Sequence, residues 1–374
     1  MSGALDKLRV LDFSRVLAGP FATMQLADLG ATVTKVERPG AGDDTRAWGP
    51  PYDEYGQATY FQAVNRNKDS IVLDLTDELD RARARALAAG VDVVVENFRP
   101  GLMAEFGLDY DQLRPANPGL IYCSITGFGR GPGAALPGYD LLIQALGGLM
   151  SVTGSPGGEP QKVGVAVVDV LAGLFATTGI LAALHHREVT GEGQRVDIDL
   201  LTCLLAALVN QASAFTAAGV VPTRMGNQHP SIAPYELLSC ADGDLVLAVG
   251  NDRQFAALCD ALGIRHLSDD PRFGTNTARV QHRELLCAEL ERRLKTRTAA
   301  DWADALARVR VPAGVVNDIA GAFGLAGDLG LNPIVHLPRE DGSKVSLCRN
   351  PINLSATPAS YRSAPPRLPG TDDR

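Results

Sequence analysis

Short apolar runs alternate with helix-length amphipathic segments through the N-terminal part of the chain. Leu8 to Phe13 is a short, largely apolar run that predicts a strand. Gly19-Pro20 opens a helix, at an early position where the missing proline N–H does no harm. That helix is expected over Phe21 to Leu29, stopped by Gly30. Ala31 to Glu37 predicts a second strand, ended by Arg38-Pro39-Gly40. The alternation continues with a strand at Ser70 to Leu75 and a helix at Asp77 to Ala89. Strands at Val91 to Glu96 and Leu120 to Ser124 follow. Such alternation predicts a parallel, doubly wound α/β sheet, whose ligands sit at the carboxyl ends of the strands. The residues of interest are therefore Ser14 to Leu17, Arg38, Asn97 to Arg99, and Thr126 to Arg130.

Beyond this the pattern changes. Gly127 to Gly158 is rich in glycine and proline around one short apolar helix, Tyr139 to Leu149. Two uncharged stretches follow, Val170 to Leu184 and Leu200 to Thr223. The first is short of the roughly 20 residues a membrane span needs, and the second carries Thr202, Asn210, Gln211, Ser213 and Thr216. Both read as buried helices, covered by this chain or by a partner. Between them Arg195 to Asp199 reads as another strand. Composition shifts after Pro222. A hairpin is expected within Ser231 to Val249, and Asp252 to Leu306 is helical and charge-rich. The expected division is a large domain over 1–224, a small α+β domain over 225–318, and a segment 319–374 that returns to the large domain. The tail from Thr357 to Arg374 holds four prolines and is expected to lie extended over a surface.

The 374 residues carry 35 Lys and Arg against 43 Asp and Glu, a net charge of −8, which argues against a nucleic-acid partner. The six cysteines, Cys123, Cys203, Cys240, Cys259, Cys287 and Cys348, contain no CxxC pair. Met1 to Arg9 is charged where a signal peptide would be apolar. Reduced, mostly buried cysteines in a cytoplasmic protein are expected. No phosphate-binding GxxxxGK[ST] loop, no GxSxG and no HExxH occur. A loose GxGxxA spacing at Gly129, Gly131 and Ala134 is interrupted by Pro132 and Pro137, so nicotinamide dinucleotide binding is not expected. The His185-His186 pair suits a helix end and lacks carboxylate ligands around it, so no metal is expected.

One carboxylate stands out: Asp169, in the apolar run Val163 to Gly173. Buried there, it must be hydrogen-bonded or functional. It can be a helix N-cap or a nucleophile at the positive end of a helix, and the two roles are compatible.

An ordered set of segments carries a resemblance. It comprises Leu11-Asp12-Phe13-Ser14-Arg15-Val16-Leu17-Ala18-Gly19-Pro20, Val36-Glu37-Arg38-Pro39-Gly40, Glu96-Asn97-Phe98-Arg99-Pro100-Gly101 and Ser124-Ile125-Thr126-Gly127-Phe128-Gly129. The Asp169 segment and Thr190-Gly191-Glu192-Gly193-Gln194 follow. Over nearly the whole chain this resembles the family III CoA-transferases, the formyl-CoA transferase and carnitine CoA-transferase group. The resemblance implies a Rossmann-like large domain, a smaller α+β domain and an interlocked homodimer. It implies coenzyme A as substrate, with no tightly bound cofactor, while the polar residues and length of the two uncharged stretches make a membrane partner unexpected. It puts the nucleophile on Asp169 and CoA contacts on Val16, Ala18, Arg38, Leu73, Asn97, Phe98 and Tyr139. CoA would then pass between an acyl donor and a carboxylic acid through an aspartyl anhydride and an aspartyl-CoA thioester.

Departures from the formyl-CoA transferase pattern include Leu17 for Gln, Glu105 at an often basic position and Pro137 for a lysine. The glycine-run loop is here Gly250-Asn251-Asp252-Arg253-Gln254. Gly40 to Pro51 and Ser231-Ile232-Ala233-Pro234-Tyr235 are most similar to the succinyl-CoA:glutarate branch, which implies a dicarboxylate acceptor. An α-methylacyl-CoA racemase of the same fold is the nearest alternative. Its motif has His where Tyr139 stands, and a phenol with an ordinary pKa of about 10 is a poor base. A non-catalytic CoA-binding protein is the other alternative, and it has no need of Asp169.

Overall fold

A computed structural model describes residues 3–370. They form two compact units, one whose described residues are 3–150, 162–221 and 332–370, the other of 151–161 and 222–331.

The first unit is built on β1 (Arg9–Asp12), β2 (Thr32–Glu37), β3 (Lys68–Val72), β4 (Val93–Glu96), β5 (Ile121–Thr126) and β6 (Arg195–Asp199). They form one parallel sheet in the order β3-β2-β1-β4-β5-β6. This is a doubly wound order with its switch point between β1 and β4. The central strands read as apolar runs because both faces are covered. On one face Val10, Val93, Val95 and Cys123 meet α1 (Ala18–Asp28) and a long helix bearing Ala172, Ala176 and Ile180. On the other, Leu11, Val94 and Tyr122 meet Ala84 and Ala88 of α3 (Glu78–Ala88). Between these run α2 (Thr59–Ala63), α4 (Leu102–Glu105) and α5 (Tyr110–Leu113).

Several boundaries differ from the sequence expectations, each for a local reason. α1 starts at Ala18, so Pro20 is its third residue. β3 starts at Lys68, a charged residue whose buried side chain pairs with Asp12. The helix expected over Tyr139 to Leu149 is two pieces, α6 (Asp140–Leu146) and α7 (Leu149–Val152). They are parted at Gly147-Gly148, where Gly148 has φ +85. The first uncharged stretch lies in α8 (Val167–Thr190), whose 24 residues are long and apolar enough to cross a membrane. The second bends by 84° at Leu208, giving α9 (Leu200–Ala207) and α10 (Val209–Ala218). Within this chain α10 buries no residue, which leaves the partner half of the expectation for its cover. α8 buries only the face that includes Val168, Ala172, Gly173 and Ala176. Gly173 lets α8 lie against α1, since a Cβ there would stand 2.7 Å from the Ala18 carbonyl oxygen.

In the second unit β7 (Tyr235–Ser239), β8 (Asp244–Ala248) and β9 (Ala313–Val315) form an antiparallel sheet. It packs with α11 (Asp252–Leu262), α13 (Arg283–Leu294) and α14 (Ala299–Arg308) around Phe255, Leu286 and Trp302. α12 (Asn276–Gln281) places the fully buried Arg279, which donates to the carbonyls of Ala233 and Phe273 and pairs with Asp252. Asn251, in the segment that replaces the glycine run, caps α11. α15 (Ile319–Asp328) closes the unit.

The C-terminal segment carries the hairpin β10 (Ile334–Pro338) and β11 (Lys344–Cys348), then runs without regular structure. It is tied to the first unit by Asn67 N–H to the Ser363 carbonyl and by Asn350 to Asp28.

Candidate active site

The turns after β1 and β4 meet at the switch point. Asn97 bridges them, accepting from Arg15 N–H at 2.8 Å and donating to the Arg15 carbonyl at 2.7 Å. A buried ionic network lies under the first turn. The Asp12 carboxylate accepts from Ser14 N–H (2.9 Å), Thr23 Oγ1 (2.6 Å) and Lys68 Nζ (3.2 Å). Lys35 Nζ donates to the Ser14 carbonyl (2.7 Å) and pairs with Asp43 (2.9 Å). Burial opposes the charge on Asp12, but Lys68 and Lys35, together with the hydrogen bonds from Ser14 and Thr23, outweigh it and hold the carboxyl below its usual range. This frame keeps Val16 at φ +69, with its N–H 3.3 Å from the Asp43 carboxylate. A β-branched residue in that region costs about 1–3 kcal/mol, a strain found where a backbone is held for function. Gly19 is required beside it, because a Cβ there would lie 2.2 Å from Ser14.

Over these turns opens a cleft of about 750 Å³. Val16, Ala18, Asn97, Phe98, Tyr139 and Asp169 all line it. Arg38 and Leu73 do not. They line an adjoining cavity of about 220 Å³, together with Phe13, Val36, Phe98 and Phe106. Phe98 and Arg15 form walls of both. Leu73 is 1% exposed and Tyr139 is 65% exposed. Leu17 and Pro137 line the cleft, whereas Glu105 pairs with Arg99 at 2.8 Å.

Asp169 is the third residue of α8, and the N-cap is Ala166, so the capping alternative for Asp169 does not hold. Asp140, the first residue of α6, does that work. Its carboxylate accepts from the N–H groups of Val168 (2.8 Å) and Asp169 (3.3 Å). Gln144, one turn on and fully buried, donates to Asp140 and accepts from Val163 N–H at 2.9 Å, which ties down the irregular segment entering α8. Among the described residues no hydrogen bond reaches the Asp169 carboxylate. Burial, and then the charge of Asp140, push its carboxyl up to about 7. Such a carboxylate is more basic than an ordinary one and is a sound nucleophile near neutrality. Tyr60 stands within electrostatic reach, its hydroxyl raised by burial and by Asp169 and Asp140, and its ring meets Trp48 edge-on at 5.5 Å.

Asp140, Gln144, Tyr60 and the Lys35 and Lys68 network were not singled out from sequence, whereas Arg15 lies in the Ser14 to Leu17 turn that the strand pattern marks.

A profile of CoA-transferase family III matches residues 5–373. The succinate–glutarate CoA-transferase of Agrobacterium fabrum is 46% identical, over 97% of this chain and 92% of its own length. The acetyl-CoA:oxalate CoA-transferase of Acetobacter aceti is 41% identical, over 94% and 90%. A crystal structure of a CAIB/BAIF family protein from Brucella suis superposes with a TM-score of 0.87 at 46% identity, covering 98% of this chain and 97% of that one. With a profile match over almost its full length, relatives above 40% identity and a superposable crystal structure, this chain belongs to CoA-transferase family III.

Proposed function

We propose that this CoA-transferase moves CoA from succinyl-CoA to a dicarboxylate, with Asp169 as the nucleophile. The carrying observation is the half-buried Asp169 carboxylate in the cleft, free of hydrogen bonds from the described residues and raised to about 7. Its oxygen attacks the thioester carbonyl, and the C–S bond breaks to give an acyl-aspartyl anhydride and CoA thiolate. The thiolate attacks the aspartyl carbonyl of the anhydride, releasing the donor acid as carboxylate and leaving an aspartyl-CoA thioester. The acceptor carboxylate then attacks that thioester, forming a mixed anhydride and freeing the thiolate again. Thiolate attack on the acyl carbonyl yields the new acyl-CoA and restores Asp169. Thioester is exchanged for thioester, so the cycle is nearly isoenergetic.

The dicarboxylate reading draws on the relative named for succinate and glutarate and on Arg99, a guanidinium lining the cleft that suits a second carboxylate. The adjoining apolar cavity with Arg38 at its edge suits an adenine and a phosphate. Succinyl-CoA incubated with glutarate, mesaconate, oxalate and acetate, read by mass spectrometry, is expected to give the dicarboxylate thioesters fastest. Hydroxylamine added with acyl-CoA is expected to leave a hydroxamate on Asp169. A preference for acetate, or an adduct elsewhere, overturns the reading.

We also propose an interlocked homodimer in the cytoplasm, acting on no nucleic acid or membrane. Leu174, Phe175, Leu181, Leu205, Val209 and Phe215 are exposed on α8 to α10, an apolar area that a second copy would cover. The four buried free cysteines suit a reducing compartment. Sedimentation at nanomolar concentration is expected to give a dimer, and an active, folded monomer would remove this part of the proposal.

A further inference from the structure

We infer that Arg15 and Arg38 form a two-guanidinium clamp for the pyrophosphate of CoA, and that Asp44 occupies the clamp in the free enzyme as an internal stand-in for phosphate. The inference rests on the reading that CoA lies across the cleft and its adjoining cavity.

Arg15 is fixed at its backbone by both hydrogen bonds to Asn97, so its side chain projects from a rigid point. The guanidinium lies over the Phe98 ring, 4.9 Å from the centroid. Its Nη1 is 3.3 Å from one oxygen of Asp44, while Arg38 Nη2 holds the other oxygen. One carboxylate thus serves two cations. It does not satisfy them, since Arg15 Nε is buried with no partner among the described residues. All three side chains remain between about a third and a half exposed, so a ligand can reach them.

The position is as telling as the pairing. Arg15 and Phe98 are the residues that line both cavities, while Asp44 lines only the one that holds Asp169. A ligand whose thioester lies by Asp169 and whose base enters the apolar cavity must cross between these residues. In CoA the group between pantetheine and adenosine is the pyrophosphate. It offers more acceptors and more charge than a carboxylate, enough to engage the idle Nε as well. Binding therefore exchanges Asp44 for phosphate, and Asp44 competes with the ligand.

The test is calorimetric titration of CoA and dephospho-CoA, which keeps the pyrophosphate but lacks the 3′-phosphate, together with kinetics on an acyl-CoA and the matching acyl-pantetheine. Arg15→Gln is expected to weaken CoA and dephospho-CoA alike, by about tenfold or more. It should lower kcat/KM for the acyl-CoA while sparing acyl-pantetheine. Asp44→Asn is expected to tighten both nucleotides by about threefold to tenfold, as removal of a competing charge requires. Equal losses for both donors would mark Arg15 as structural and overturn the clamp. So would weaker binding in Asp44→Asn, or an effect on CoA that dephospho-CoA does not share. Wild-type protein that binds no CoA fells the functional reading itself, whereas wild-type binding with an unaffected Arg15→Gln fells only the clamp.

Discussion

Asp169→Asn is expected to lose several orders of magnitude in transfer rate while becoming more stable at alkaline pH. The rate loss follows from replacing a carboxylate with an amide that cannot form the anhydride. The stability gain follows from linkage. The carboxyl titrates near 3.8 when unfolded and at about 7 when folded. Unfolded chains therefore ionise first as pH rises, which costs wild type stability between those values, and the full cost persists above 7. Asn lacks the term, so its advantage should be about 1–3 kcal/mol at pH 8 and vanish below pH 4. Thermal melts of both proteins at the two pH values check this. For wild type, kcat/KM for acyl-CoA should fall tenfold per unit below about pH 7. Asp140→Asn, which keeps an acceptor for Val168 N–H but removes the charge, should move that limb to lower pH. A fully active Asp169→Asn would end the mechanism.

Asp12→Ala is expected to destabilise the protein by about 3–5 kcal/mol, the cost of leaving a buried partner charge uncompensated. Lys68 is fully buried, and burial already pushes its ammonium down to about 8 despite Asp12. Without the carboxylate it keeps only the Pro20 carbonyl and the Asn65 side chain. Urea unfolding measures the loss, and a midpoint equal to wild type would show the network to be dispensable. The wild-type network has its own acid limit. Asp12, Glu37 and Asp43 are all held below their ordinary values. Their stabilisation is present above about pH 4 and fades as pH falls through the lower folded values.

The doubly wound half was legible because its central strands are apolar on both faces and its turns carry glycine and proline. Features that rest on contacts between distant residues were not. Lys68 reads as a loop residue until Asp12, in another strand, is placed against it. The bend at Leu208 carries no proline or glycine to announce it. Asp169 stood out as a lone carboxylate in an apolar run, but which role it plays depended on Asp140, 29 residues earlier, taking up the free amides at the start of α8. The apolar character of α10 was visible, yet what covers it is not a local property of the sequence.

That use of Asp140 bears on the energetics of the proposed covalent cycle. The amino end of a 24-residue helix carries a partial positive charge that ordinarily favours an anion close by. In this protein a spectator carboxylate absorbs that dipole field, and Asp169 is left facing a fixed negative neighbour instead. An anhydride or a thioester at Asp169 is neutral. Acylation would therefore discharge one of two mutually repelling groups, so the covalent states gain relative to the resting enzyme. In the mechanism proposed above, Asp140 would act as a spring compressed by the free carboxylate and released each time Asp169 is acylated.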